Sequence, residues 1–171
     1  MTAPSTHRLT LPGPMLQRGF WLYVWRVEVP DGGEWLYVGR TGDNSSPNAS
    51  APYTRMGQHL GVIANQNALR ARLRDRDIKA ENCLAFHLVA HGPLHPEIAK
   101  GEGKPRAELM DLHRPLRDEV GAYERDLALA LEQAGYRVLN TVKWKHHGEP
   151  ARWKLIKEAF AEDFPRLSQL P

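Results

Sequence analysis

The stretch FWLYVWRVEVPDGGEWLYVGR, residues 20–40, decides the fold that the sequence predicts. Its two flanks, residues 20–29 and 34–40, are rich in β-branched and aromatic side chains, which favour β-strands. The residues between them, Pro30-Asp31-Gly32-Gly33, supply the backbone freedom that a tight reversal of the chain needs. The stretch therefore predicts a β-hairpin.

The pairing of this hairpin decides where its two tyrosines lie, because side chains along a strand alternate between the faces of a sheet. In a three-residue loop, Val29 pairs with Gly33. Tyr37 then lies opposite Trp25 and shares a face with Tyr23. A longer odd loop would set the two tyrosines directly opposite each other, and an even loop would put them on opposite faces. The alternative interpretation is that both are core tyrosines of an ordinary sheet.

Proline and glycine mark the ends of the elements that follow the hairpin, since proline suits the first turn of a helix and glycine the residue just past its end. An apolar pattern between such marks predicts a strand or a helix by its period. The predicted elements are a loop over 41–51, a helix from 52 to about 60, an arginine-rich helix over 67–76, a third strand over 83–90, a surface loop over 91–104, a helix from 105 to about 113 that Pro115 breaks, the longest helix over 118–134, a strand or extended segment over 136–142 and an amphipathic helix over 152–160.

Length and charge fit one domain of mildly basic character. The chain has 171 residues, with 23 Lys and Arg against 20 Asp and Glu, and a net charge of +3. Its single cysteine, Cys83, excludes an intramolecular disulfide and a cysteine-based zinc framework. No run approaches the roughly 20 apolar residues of a membrane span, and residues 1–14 lack the apolar core of a signal peptide. We therefore expect a cytoplasmic protein without a membrane partner.

The distribution of prolines and basic residues suggests the organisation of the chain. We expect residues 1–18 to form a flexible N-terminal arm, and residues 19–171 to form a single domain with a basic helical extension at its C-terminus. Two basic clusters are candidates for contact with nucleic acid, although a charge run is often only a solvated face. Their candidate residues are Arg70, Arg72, Arg74, Arg76, Lys143 and Lys145.

Three polar residues carry chemistry that a purely structural helix does not need. Arg55 and His59 stand four residues apart on one predicted helix, so they share a face. A guanidinium can hold a phosphate through two hydrogen bonds, and an imidazole can transfer a proton near neutral pH. Glu124 lies beside the apolar stripe that contains Val120 and Leu127, where an unpaired charge is costly. Either a metal ion or an Arg or Lys side chain should therefore accompany this carboxylate.

Together these residues resemble the motifs of the GIY-YIG nuclease superfamily. The first signature tripeptide resembles Trp21-Leu22-Tyr23 and the second resembles Tyr37-Val38-Gly39, although Trp21 stands where the family has glycine. The resemblance covers about residues 20–142. The residues that match the catalytic positions of the family are Tyr23, Tyr37, Arg55, His59, Glu124 and Asn140.

The resemblance implies a fold, a reaction and a cofactor. The implied fold class is α/β, with a small three-stranded antiparallel sheet flanked by helices and with loop insertions. The implied activity is hydrolysis of DNA phosphodiester bonds by an endonuclease that uses Mg²⁺, or Mn²⁺, bound by Glu124. Tyr23 or His59 would take a proton from the attacking water, directly or through Tyr37. Arg55 would stabilise the charge that develops on the phosphate.

The resemblance also bears on partners and on alternatives. Asn140 would orient the metal shell or the substrate strand, and a homodimer is one route to target recognition because no second domain is predicted. One alternative to an enzyme is a catalytically silent nucleic-acid-binding module on the same scaffold. Another is a protein-interaction domain whose basic clusters face solvent.

Overall fold

The computed structural model describes residues 4–43, 46–98 and 103–170. In that part of the chain, three strands and four α-helices form an α/β fold. The elements are β1 (Gly19–Glu28), β2 (Glu34–Arg40), α1 (Pro52–Leu60), α2 (Ala68–Arg74), β3 (Ala85–Pro96), α3 (Arg106–Gln133) and α4 (Pro150–Ala161), with short 3-10 turns at Gly13–Leu16, Ala80–Asn82 and Pro165–Gln169. Residues 1–3 of the predicted N-terminal arm and parts of both long predicted loops lie outside the described residues.

The sheet has the strand order β2-β1-β3, and both strand pairs are antiparallel, which confirms the predicted fold class. β1 lies in the centre and is buried along nearly its whole length. In the hairpin, the N–H of Val29 donates to the carbonyl of Gly33 at 3.0 Å, and Trp25 pairs with Tyr37. Tyr23 and Tyr37 therefore lie on the same face, as predicted for the three-residue loop.

β3 is longer than the sequence predicts, because it continues through Pro96 instead of ending at Ala90. The prediction of a surface loop from residue 91 onward was wrong over residues 91–96. The ten residues of β1 offer a long pairing edge, and Gly19 at its start still pairs with Pro96 at the end of β3. Since β3 is an edge strand, the prolines that suggested a loop are tolerated there.

α3 runs without interruption through Pro115, so the predicted break at this residue was wrong. Pro115 has no N–H to donate to the carbonyl of Asp111. Both residues are exposed, so water can satisfy that carbonyl. Buried residues on both sides of the proline hold the helix against the rest of the fold. At its C-terminal end, Gly135 adopts a φ of +80°, and the N–H of Tyr136 donates to the carbonyl of Leu131 at 3.0 Å. This arrangement confirms the predicted stop.

The remaining elements follow the predictions with small shifts. α1 begins at Pro52 and ends just before Gly61, as predicted. α2 ends at Arg74, two residues earlier than predicted. The segment after α3 is extended and lies along the free edge of β2, where the N–H of Leu36 donates to the carbonyl of Arg137 at 2.8 Å.

The helices cover both faces of the sheet with two apolar clusters. α3 and α4 pack on the face that carries Phe20, Leu22 and Val24 of β1. The opposite face carries Tyr23 and Trp25, and residues of α1 and α2 pack on it. The two tyrosines therefore face α1, the helix that bears Arg55 and His59. Within the described residues, no helix is long and apolar enough to cross a bilayer.

Candidate active site

Tyr23 and His59 form a buried hydrogen-bonded pair at the centre of the candidate site. The hydroxyl oxygen of Tyr23 lies 2.7 Å from Nε2 of His59, and both residues are almost fully enclosed. The ring of Tyr37 lies 5.0 Å from the same imidazole, centroid to centroid. Gly39, directly opposite Tyr23 in the hairpin, makes this packing possible, because a Cβ there would lie 2.5 Å from the Tyr23 ring. Gly39 of the second signature tripeptide thus leaves room for the ring of Tyr23 of the first tripeptide.

Burial determines the protonation states in this pair. Burial raises the pKa of Tyr23 well above its ordinary value and raises the pKa of Tyr37 to about 12. Burial and the nearby charge of Arg55 lower the pKa of His59 to about 4. At neutral pH both phenols therefore keep their protons and the imidazole is neutral, so the hydroxyl of Tyr23 can donate its hydrogen to Nε2. The pair is thus a buried hydrogen bond between a neutral phenol and a neutral imidazole.

Arg55 projects from α1 into the same neighbourhood and is held by two side chains. Its Nη2 donates to the carboxylate of Asp43 at 2.6 Å, and its Nη1 donates to the amide oxygen of Gln58 at 3.1 Å. Its Nε is buried and has no hydrogen-bond partner among the described residues. The sequence did not indicate a role for Asp43, because it lies in a stretch of turn-forming residues. It did not indicate a role for Gln58, because only the spacing of Arg55 and His59 marked this helix.

Glu124 is paired with a cation, Arg40, that the sequence did not single out. Nη1 of Arg40 lies 2.7 Å from Oε2 of Glu124, and the arginine is only 5% exposed. Burial raises the pKa of Glu124 to about 7, although the charge of Arg40 opposes this shift. The prediction that Glu124 lies beside a buried stripe is confirmed, since Val120 and Leu127 are both fully buried. The sequence predicts either a metal ion or an Arg or Lys side chain beside Glu124, and Arg40 is such a side chain.

Arg40 is itself packed between α3 and an aromatic ring. Its guanidinium carbon lies 4.2 Å from the ring centroid of Trp144. Gly121 of α3 leaves the room for this stack, because a Cβ there would lie 2.5 Å from the Trp144 ring. The stack keeps Arg40 in place against Glu124.

Electrostatic influence links these groups into one site. The charge of Arg55 affects the pKa of Tyr23, Tyr37, His59 and Glu124. Direct contacts join Tyr23 and Tyr37 to His59, and the charge of Arg55 acts on all three and on Glu124 of α3. The sixth predicted catalytic residue, Asn140, is placed differently.

Asn140 joins the extended segment after α3 to the edge of β2. Its amide oxygen accepts from the N–H of Val38 at 3.0 Å, and its amide nitrogen donates to the carbonyl of Val38 at 2.8 Å. The side chain thus imitates the pairing of a neighbouring strand, and it fixes the backbone between Tyr37 and Gly39. A direct contact of Asn140 with metal or substrate stays a prediction.

The predicted nucleic-acid-binding residues differ in how far they are already engaged. Arg70 donates to the carbonyl of Leu60 and to Glu81, while Arg76 donates to the carbonyl of Leu139 and stacks on Trp35. The exposed members are Arg72, Arg74, Lys143 and Lys145. Contact of any of them with DNA stays a prediction, and the exposed four are the ones that a backbone phosphate can reach without breaking the fold.

Glu124 is the predicted ligand of a divalent cation. Among the described residues, no group of three or more His, Cys, Asp or Glu side chains could hold a metal ion. Mg²⁺, however, is often bound by one or two carboxylates together with phosphate oxygens and water. Glu124 supplies such a carboxylate in an enclosed place, and Asp43 is close enough to raise its pKa further. A cation there would favour the charged form of the carboxylate that burial disfavours.

Comparison of the chain with protein-family models, curated proteins and solved structures gave no match. The functional interpretation therefore depends on the geometry of the site. That geometry combines a buried phenol–imidazole hydrogen bond, an anchored guanidinium and an enclosed carboxylate.

Proposed function

We propose that this protein is a metal-dependent endonuclease that hydrolyses DNA phosphodiester bonds and belongs with the GIY-YIG nucleases that its motifs resemble. The observation that carries the proposal is the Tyr23–His59 hydrogen bond of 2.7 Å beside Arg55. Hydrolysis of a phosphodiester needs a group that removes a proton from water and a group that stabilises the charged phosphate. In this proposal the Tyr23–His59 pair does the first and Arg55 does the second.

The proton route follows from the protonation states of the pair. Neutral His59 is the acceptor in this route, because its Nε2 is unprotonated at neutral pH and lies 2.7 Å from the hydroxyl oxygen of Tyr23. The attacking water gives its proton to the hydroxyl oxygen of Tyr23 as Tyr23 passes its own proton to Nε2 of His59. The bond from the water oxygen to phosphorus forms, the bond to the leaving oxygen breaks, and solvent supplies the proton of the leaving group.

Two further groups act on the phosphate. Arg55, oriented by Asp43 and Gln58, donates hydrogen bonds to the non-bridging oxygens, where negative charge grows. Glu124 would hold the divalent cation, which would neutralise the negative charge that develops on the leaving oxygen. Tyr37, on the same face as Tyr23, packs against His59 and keeps water away from one side of the imidazole.

A catalytically silent DNA-binding module is the second candidate, and the Arg40–Glu124 pair favours it. This ion pair satisfies the buried carboxylate without any metal. The two candidates agree about DNA as the partner, with the protein acting alone or as a homodimer. They differ in whether a phosphodiester bond is broken.

Incubation of the purified protein with supercoiled plasmid and with branched DNA, with Mg²⁺ or with EDTA, separates the two candidates. The nuclease proposal predicts nicked or linear product only with the metal. The silent module predicts bound but intact DNA in both conditions. Tyr23→Phe, which removes only the hydroxyl of the relay, should lose most of the cleavage and keep the affinity for DNA; unchanged cleavage in this variant would contradict the relay.

A further inference from the structure

The segment of residues 143–148 is irregular in conformation, yet α3 holds it at several points. Nε1 of Trp144 donates to the carbonyl of Asp118 at 2.9 Å. Nη1 of Arg125 donates to the carbonyls of Trp144 and His146 at 2.9 and 2.8 Å. Beyond its end, the N–H of Glu149 donates to the hydroxyl of Tyr123 at 3.0 Å. A surface that is fixed before binding loses little conformational entropy when a ligand arrives.

The segment is also built into the candidate active site. Trp144 stacks on Arg40, whose guanidinium pairs with Glu124. Gly121 is a helix-interior glycine, which is unfavourable for α3, and its absent side chain leaves the space that Trp144 and Arg40 fill. Arg125, which clamps the segment, directly follows Glu124 on the helix. Any ligand on this segment would therefore lie close to Arg40 and Glu124, the proposed metal ligand.

Exposure along the segment alternates with a period of two, as in an extended chain. Lys143 and Lys145 are exposed, while Trp144 and His146 are half-buried. In an extended chain, residues two apart are about 6.6 Å apart along the backbone. The two lysines therefore present a pair of cations at a separation comparable with that of consecutive phosphates along one nucleic-acid strand.

A pocket of about 490 Å³ opens beside these lysines. This volume is within the range of small-ligand sites. Its walls carry three permanent cations and one carboxylate together with an aromatic ring, and the guanidinium carbon of Arg117 lies 5.8 Å from that ring. The lining residues are Arg117, Asp118, Lys143, Trp144, Lys145 and His146. An anionic ligand that contains a flat ring fits this combination.

We propose that this pocket binds one unpaired nucleotide of the strand that is cleaved, with its phosphates on Lys143 and Lys145 and its base against Trp144. The proposal rests on the proposed nuclease function and specifies its substrate class. A base in a duplex is covered on both faces by its neighbours, so only a single-stranded, flipped or branch-point base can enter a pocket. The preferred substrate is thus DNA with an unpaired nucleotide next to the scissile bond.

Fluorescence anisotropy with a short labelled single strand and with a duplex of the same sequence, both in EDTA, tests the proposal. We expect the single strand to bind about tenfold more tightly than the duplex, since stacking of one base on an aromatic side chain favours it by that order. Trp144→Leu should remove that preference. The double variant Lys143→Gln with Lys145→Gln, at exposed positions that do not support the fold, should flatten the salt dependence of single-strand binding by about 1.4 in log-log slope.

The matched control removes the same charge elsewhere. Lys104→Gln with Lys154→Gln changes two exposed lysines outside the pocket and should leave the single-strand preference unchanged. Equal wild-type affinity for single strand and duplex would overturn the pocket assignment, as would an unchanged salt slope in the Lys143 and Lys145 variant. Either result together with Mg²⁺-dependent plasmid cleavage would leave the nuclease proposal standing. Single-strand binding without any cleavage would instead overturn the nuclease and keep the pocket.

Discussion

The guanidinium of Arg40 lies 2.7 Å from the carboxylate of Glu124 in an enclosed site, so an internal cation already occupies the place where a metal ion would act. A buried ion pair contributes little net stability, because the cost of removing both charges from water offsets their attraction. The pair satisfies the buried carboxylate without a metal ion, as the silent DNA-binding module would require. It also means that a metal ion must compete with Arg40 for the charge of Glu124.

The affinity for Mg²⁺ should depend on pH through Glu124. Burial raises the pKa of this carboxyl to about 7, so its negative charge develops as the pH rises through that value. We expect the Mg²⁺ concentration for half-maximal cleavage to fall as the pH rises from about 6 to about 8. Thermal unfolding with and without Mg²⁺ across the same range gives a readout independent of activity. A Mg²⁺ requirement that is flat across this range would contradict the assignment.

Arg55→Lys should lose about a hundredfold or more in cleavage rate although it keeps the positive charge. A lysine ammonium cannot reproduce the fork that Asp43 and Gln58 orient, nor give two parallel hydrogen bonds to one phosphate. Arg114→Lys, at an exposed position on α3, is the matched control and should cleave at the wild-type rate. Single-turnover rates at saturating DNA measure the effect. A wild-type rate in Arg55→Lys would place this arginine outside the reaction.

Gly121→Ala should destabilise the protein by about 1–3 kcal/mol through overpacking, although alanine is the better helix former. The added methyl group would meet the Trp144 ring and the Arg40 guanidinium that fill this space. Gly57→Ala on α1 is the control, because no neighbouring atom lies within 4 Å of the place that a Cβ would take there. That change should stabilise by about 0.5–1 kcal/mol. Denaturant unfolding of both variants measures the change in stability. A Gly121→Ala variant more stable than the wild-type protein would show that Trp144 and Arg40 do not pack tightly against α3.

Replacement of Arg72 and Arg74 by glutamine should weaken DNA binding similarly for all sequences. Arg72 and Arg74 of α2 are both exposed, whereas Arg76 is held by the carbonyl of Leu139 and by Trp35. If each contacts one phosphate, the log-log salt slope for duplex binding should fall by about 1.8 in total. The Lys104 and Lys154 double variant is again the control for net charge. An unchanged slope would identify α2 as a solvated face.

The sequence predicted features that depend on local periodicity or on turn chemistry. The shared face of Tyr23 and Tyr37 follows from a period of two and an odd loop. The start of α1 at Pro52 and the stop of α3 before Gly135 follow from the geometry that these two residues impose on the backbone. The place of Glu124 beside a buried stripe follows from helical spacing.

Features that depend on distant partners could not be predicted in this way. In the sequence, Arg40 is only the last residue of a strand, and its partner Glu124 stands 84 positions further along the chain. Trp144 lies in an irregular segment whose position is fixed by contacts with β2 and α3, which are distant in the sequence. Pro115 indicated a helix break because the local penalty is visible in the sequence, while the packing that offsets it is not.

The most direct test of the nuclease proposal compares the wild-type protein with Glu124→Gln in two measurements on the same DNA. Glutamine keeps the size of the side chain and an oxygen for Arg40, but it cannot carry the charge that a divalent cation requires. We predict that wild-type protein cleaves DNA only with Mg²⁺, and that Glu124→Gln binds DNA in EDTA with unchanged affinity and does not cleave it when Mg²⁺ is added. Full Mg²⁺-dependent cleavage by Glu124→Gln would contradict the account.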